Sequence, residues 1–182
     1  LQRMLWGAGR ARRARRYTAR LVAAWGQRLL ELGLFVQAST FSAAASWLVP
    51  DLPQALLLRA RILMWQKRYS LALRVLQRLV ARTGRSGEAW QAGALVQWTL
   101  ATGGYLQEPE RVAALARARR WNDRALALPP ALADAYRVGV NIARSLGDPH
   151  GAARMLAEGL RRFPHHAGLQ QLKARSGLTP NR

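Results

Sequence analysis

Residues 35–50, FVQASTFSAAASWLVP, and residues 69–84, YSLALRVLQRLVARTG, lie 34 positions apart and follow one plan. Each opens on an aromatic ring, Phe35 or Tyr69, and places an alanine three residues later, Ala38 or Ala72. Each then holds Ala45 or Leu79 at one shared position and closes on a helix breaker, Pro50 or Gly84. The offset recurs downstream. Ala118 and Ala152 are 34 apart, and so are Ala125 and Gly159, and Pro130 and Pro164. Between the two sets the distance grows to 46, one period plus a 12-residue insertion.

Working outward, a second series keeps the same spacing. Gly26, Ala60, Ala94 and Val140 form its small positions, and Val22, Leu56, Trp90 and Tyr136 its bulky ones. Two antiparallel helices per period explain the pattern. Small residues are needed where the helices cross closely, bulky ones fill the gap opposite, and a breaker ends the second helix.

Over roughly residues 19–166 this pattern resembles the tetratricopeptide repeat (TPR) family. The resemblance implies an all-α fold, a right-handed α-solenoid of about four TPR-like helix pairs plus a C-terminal capping helix. The repeats would occupy 19–52, 53–86, 87–132 and 133–166. Residues 1–18 are then an Arg-rich leader or helix extension, and 167–182 a capping helix with a frayed tail from Gly177. Three departures stand out. Val140 is larger than the usual small residue, and Gly84 replaces the closing proline. The third repeat carries the insertion, around Ala101–Val112. In it, Gly103-Gly104 reads as a helix stop and Glu108-Pro109 as the start of a lengthened second helix.

Composition sets limits on function. Half of the 182 residues are hydrophobic, enough for a sizeable core. Cysteine is absent, which removes disulfides, thiolate nucleophiles and cysteine-bound metals. Basic residues number 29 against nine acidic, a formal charge of +20. Only Lys67 and Lys173 are lysines; the excess of arginine is a bias that a GC-rich genome can produce without functional demand. The scarcity of acids has no such origin, and it raises affinity for anything anionic. No apolar run reaches the ~18–20 residues of a membrane span. No signal peptide is visible, and an opening Leu1 leaves room for a leader or anchor upstream. The expected location is cytoplasmic, with membrane association as the other option.

In TPR proteins the first helices of successive repeats line a concave groove that receives the ligand. The resemblance therefore implies a groove presenting Arg20, Gln27, Arg61, Met64, Trp65, Gln91 and Trp98, followed by Arg137, Asn141 and Arg144. The last three fall at i, i+4 and i+7 and so share a helical face. A basic residue followed four later by Asn resembles part of the carboxylate clamp by which some TPR domains grip a C-terminal carboxylate. That clamp spreads over three repeats and usually begins in the first, whereas this pair lies in the fourth, and the plain reading of the three residues is a solvated polar face. Spacing favours core positions for Trp25, Tyr69 and Trp90. Trp65 and Trp98 suit either core or an exposed platform.

From Leu1 to Leu30 there are eight arginines and no acid, with Arg10, Arg12, Arg13, Arg15 and Arg16 clustered. Tyr17, Leu21, Trp25 and Leu29 continue an i, i+4 stripe, so the first repeat helix is expected from near Ala11. The arginines would then crowd a helix N-terminus, where cations oppose the dipole by ~0.3–1 kcal/mol each. A solvated basic leader is the plain reading. An anionic membrane surface, the phosphates of RNA or DNA, or an acidic protein surface are the functional ones.

Nothing converges toward catalysis. The nine carboxylates are scattered, and Glu108 and Glu110, the one close pair, flank a helix start, where acids meet the dipole favourably. His165 and His166 are adjacent after Pro164, without the i, i+4 spacing of two metal ligands on one helix face. Gly103-Gly104 precedes no Lys-Ser or Lys-Thr and is no phosphate loop. The sequence thus reads as a non-enzymatic scaffold, adaptor or assembly factor that needs no metal or cofactor. Its partner would be a protein or peptide, acidic by charge balance; a small-molecule substrate is disfavoured. The alternatives are a basic RNA/DNA-binding repeat, or a peripheral membrane scaffold held through its Arg-rich N-terminus.

Overall fold

The computed structural model describes residues 2–175, with side chains from Gly9 onward. Those residues form nine α-helices and no strand: α1 (Gln2–Glu31), α2 (Phe35–Leu48), α3 (Pro53–Trp65), α4 (Tyr69–Thr83), α5 (Gly87–Thr102), α6 (Glu108–Leu126), α7 (Ala133–Ser145), α8 (Pro149–Arg162) and α9 (Ala167–Arg175). The chain forms two compact modules, Leu1–Thr83 and Gly84–Arg182. The expected tail from Gly177 lies outside the described residues.

The period of 34 has a steric cause. Ala38, Ala72 and Ala118 have no exposed surface, and Ala152 almost none. Gly26, Ala60, Ala94 and Val140 are buried likewise. A Cβ built on Gly26 would lie 3.0 Å from the Phe41 Cβ and 2.5 Å from the end of the Leu58 side chain, so any side chain there would push its neighbours aside. In the C-terminal module, a Cβ on Gly93 would collide with the Trp121 ring, which rests on the bare backbone of α5.

Within a repeat, the chain reverses through a left-handed residue. Gly33, Lys67 and Gly147 occupy one repeat position and have φ of 76°, 58° and 72°. At all three the hydrogen bonds are those of a Schellman cap. The N–H groups of Leu34, Arg68 and Asp148 donate to the carbonyls of Leu29, Leu63 and Ala143, at 2.9, 2.8 and 2.9 Å. In the third repeat the insertion sits at this turn. There α5 stops at Gly103, Gly104 has φ of 76°, and α6 restarts with Glu108 and Glu110 in its first turn.

Helix starts use local devices. The Ser86 hydroxyl accepts from Ala89 N–H at 3.2 Å, and the Asp148 carboxylate from Gly151 N–H at 2.7 Å. Pro53 and Pro149 fill the first turns of α3 and α8, where a missing N–H costs nothing.

One expectation is corrected here. The first helix begins at Gln2, not near Ala11, so Arg10–Arg16 lie two to four turns inside it. The helix dipole acts mainly in the first and last turns, and the penalty expected from it does not arise.

Candidate functional site

In the N-terminal module α1 packs through small residues. Ala19, Ala23 and Gly26 are buried on one stripe, while Arg10–Thr18 are exposed throughout. Arg10, Arg12, Arg13, Arg15 and Arg16 thus stand on a helical extension beyond the packed core. Trp25, expected in the core, is 64% exposed. The physical reason is the close crossing of α1 with α2: small side chains take the inner stripe, and the larger Tyr17, Leu21 and Trp25 point outward. Arg20 is exposed beside them.

Gln27 donates to Glu31 at 3.1 Å, and Arg28 bonds the same carboxylate at 3.2 Å. These two bonds, with the fields of Arg28 and Arg61, hold the Glu31 carboxyl below its usual range. Arg61 and Met64 are half-buried on α3. Trp65 is 51% exposed and stacks on Phe35, with ring centroids 3.8 Å apart. The stacked pair ends an open groove of about 470 Å³ between α2 and α3, floored by Val36, Ser39, Thr40, Ala43 and Gln66. Along the same helices the groove continues past Ser42, Ser46, Arg59 and Leu63.

The C-terminal module treats its aromatics differently. Trp98 packs beside Ala94, Ala118, Val138 and Ile142, and its indole N–H donates to the Ser145 hydroxyl at 3.0 Å. Trp90 is half-buried, donates to the Gly84 carbonyl at 3.1 Å and meets Trp121 edge-on at 4.8 Å. Gln91 and Asn141 are half-buried. Arg137 is drawn to Asp134 at 2.7 Å, and Arg144 is exposed at the far end of the same α7 face. On α8, hydrogen bonds from Arg161 and Arg162 hold the Glu158 carboxyl down to about 2. Among the described residues no group of three His, Asp or Glu could hold a metal ion.

No protein-family model matches the chain, and a search of curated proteins finds no match. Solved structures do match. TTC0263, a thermophilic TPR protein of Thermus thermophilus, is 22% identical with a TM-score of 0.78, over 87% of this chain and 83% of that one. YrrB, a TPR protein with an unusual peptide-binding site, is 18% identical with a TM-score of 0.61, over 94% and 88%. MamA from Desulfovibrio magneticus RS-1 is 19% identical with a TM-score of 0.60, over 82% and 77%. The chain has the TPR fold.

Each module places some of the expected groove residues side by side. Arg61, Met64 and Trp65 follow one another at the end of α3, and Arg137, Asn141 and Arg144 share one face of α7. Sequence reasoning missed the α2 side of the first repeat. That helix carries no charged residue, a signal visible in FVQASTFSAAASWL itself, yet Val36 is 77% and Trp47 82% exposed. A helix without a charged face is normally buried.

Proposed function

We propose that this TPR chain is a non-enzymatic scaffold or adaptor that binds a partner protein or peptide, as part of a larger assembly. The observation that carries the reading is the open α2–α3 groove, with Trp65 stacked at its mouth on Phe35. A half-exposed indole on a rigid helical end is the kind of anchor that interfaces use, and serine hydroxyls along the groove supply adaptable hydrogen bonding. A net charge of +20 favours an acidic partner and speeds its encounter. The α7 face of Arg137, Asn141 and Arg144 adds a second polar contact suited to a carboxylate. YrrB, with its peptide-binding site, gives the same fold a precedent for peptide recognition.

The test is selection of peptides from a random display library on the intact chain, followed by affinity measurement on variants. Trp65→Ser is expected to weaken selected acidic peptides at least about tenfold, the size of a hot-spot truncation. Peptides that bind Trp65→Ser and the Arg137→Ala/Asn141→Ala variant as tightly as the parent chain would refute the reading.

A further inference from the structure

Helix α1 has three distinct faces. Successive residues turn by about 100°, so Ala19, Ala23, Gly26 and Leu30 form one inward stripe. Carried toward the N-terminus, the same stripe continues as Arg16 and Arg12, both exposed. Packing of α1 against its own module therefore ends at Ala19.

The opposite arc is apolar. Ala14, Tyr17, Leu21, Ala24 and Trp25 lie on it, with Thr18 at its edge, and all six are exposed. It runs about 17 Å along the helix, from Ala14 to Trp25. Arg13 and Arg20 border it on one side, and Arg10 stands at its N-terminal end. No carboxylate pairs with these arginines among the described residues: Glu31 is bound by Gln27 and Arg28, and Asp51 by Arg78 and Arg82. An apolar strip fenced by unneutralised guanidinium groups asks for a surface that is anionic outside and apolar just beneath.

We propose that α1 docks lengthwise on an anionic lipid bilayer. Leu21 enters the acyl boundary, and Tyr17 and Trp25 take the interfacial depth that amphipathic rings prefer. Arg10, Arg13 and Arg20 meet headgroup phosphates, and the remaining positive charge of the module adds long-range attraction. Charge complementarity selects this occupant over the others. A second copy of the chain would bring two Arg10–Arg20 stretches, neither with an acidic residue, face to face. A nucleic acid would satisfy the arginines but leave Leu21 and the alanines of the arc against phosphate. The proposal is independent of the groove, which lies on α2 and α3.

The full chain is tested by co-sedimentation with vesicles of phosphatidylcholine alone and with about one-third phosphatidylglycerol, at low and at about 0.5 M salt. Binding is expected to the anionic vesicles and at least about tenfold weaker to the neutral ones, falling with salt. Replacing Arg13→Gln and Arg20→Gln together should weaken it about thirtyfold, and Leu21→Ser with Trp25→Ser at least about tenfold. Helicity by circular dichroism verifies that these exposed substitutions leave the fold intact. Full binding by the Leu21→Ser/Trp25→Ser variant would overturn the proposal. So would displacement from vesicles by single-stranded RNA that this variant still binds at parental affinity, which assigns the arginines to nucleic acid. A dimer in sedimentation equilibrium that the same variant abolishes would give the arc to a second copy, and would equally overturn it.

Discussion

The N-terminal module carries 15 basic side chains against two acidic, whereas the C-terminal module carries 14 against seven. Their apolar residues differ in the same direction. Among the described residues, nine large hydrophobic side chains are exposed in the first module, and two, Tyr105 and Val112, in the second. Both modules use the same helix pairs and the same small-residue crossings. One therefore closes on itself, with its tryptophans packed and many arginines neutralised, and the other leaves charge and rings outward. A shared repeat frame fixes how helices cross and leaves free what each helix shows to its surroundings.

The sharpest way to break this contrast is to remove one tryptophan from each module. Trp121→Ala should cost about 3 kcal/mol, because the ring fills the space over Gly93 and beside Trp90. Trp25→Ala should stay within about 0.5 kcal/mol, as for other exposed sites. Urea unfolding monitored by circular dichroism reads both, and equal losses would remove the distinction. A smaller effect compares equivalent turns. Lys67→Gly should stabilise by about 1 kcal/mol and Gly147→Lys destabilise by a similar amount, since only glycine takes positive φ without strain. Midpoints that move the same way in both variants would show that the turns are not equivalent.

The smallest effect is in titration. Glu158 has a folded pKa of about 2 against an ordinary 4.5, held there by Arg161 and Arg162. Its contribution to stability is complete above the unfolded value and is lost as pH falls through the folded one. Carbon-detected NMR titration should place its midpoint near the value of about 2. Arg161→Gln with Arg162→Gln should return it toward 4.5.

What could be read from the sequence follows from where the constraint resides. Ala38, Ala72, Ala118 and Ala152 are demanded by the close approach of two helices of the chain itself, so the fold is written as a period. The faces are not written that way. Tyr17, Leu21 and Trp25 have the spacing of a core stripe, and only the partner helix decides that Ala19, Ala23 and Gly26 turn inward instead. Lys67 hides its left-handed turn, which alignment with Gly33 and Gly147 would have exposed. The insertion hides nothing, because Gly103, Gly104 and Glu108-Pro109 are local stop and start signals that act without tertiary help. Which of the groove positions touch a ligand depends on a molecule that the chain does not encode.

The long first helix has a consequence for the order in which the protein opens. Amides of Arg10–Thr18 are closed by intrahelical bonds alone, with no packed neighbour to be lost when they break. Their hydrogen exchange should approach that of a free helical peptide, while amides beside Ala23 or Val138 should exchange only through larger openings. Deuterium uptake along α1 would then rise steeply within two turns of Ala19. Any surface that seats the helix would be recorded as protection spreading toward the N-terminus.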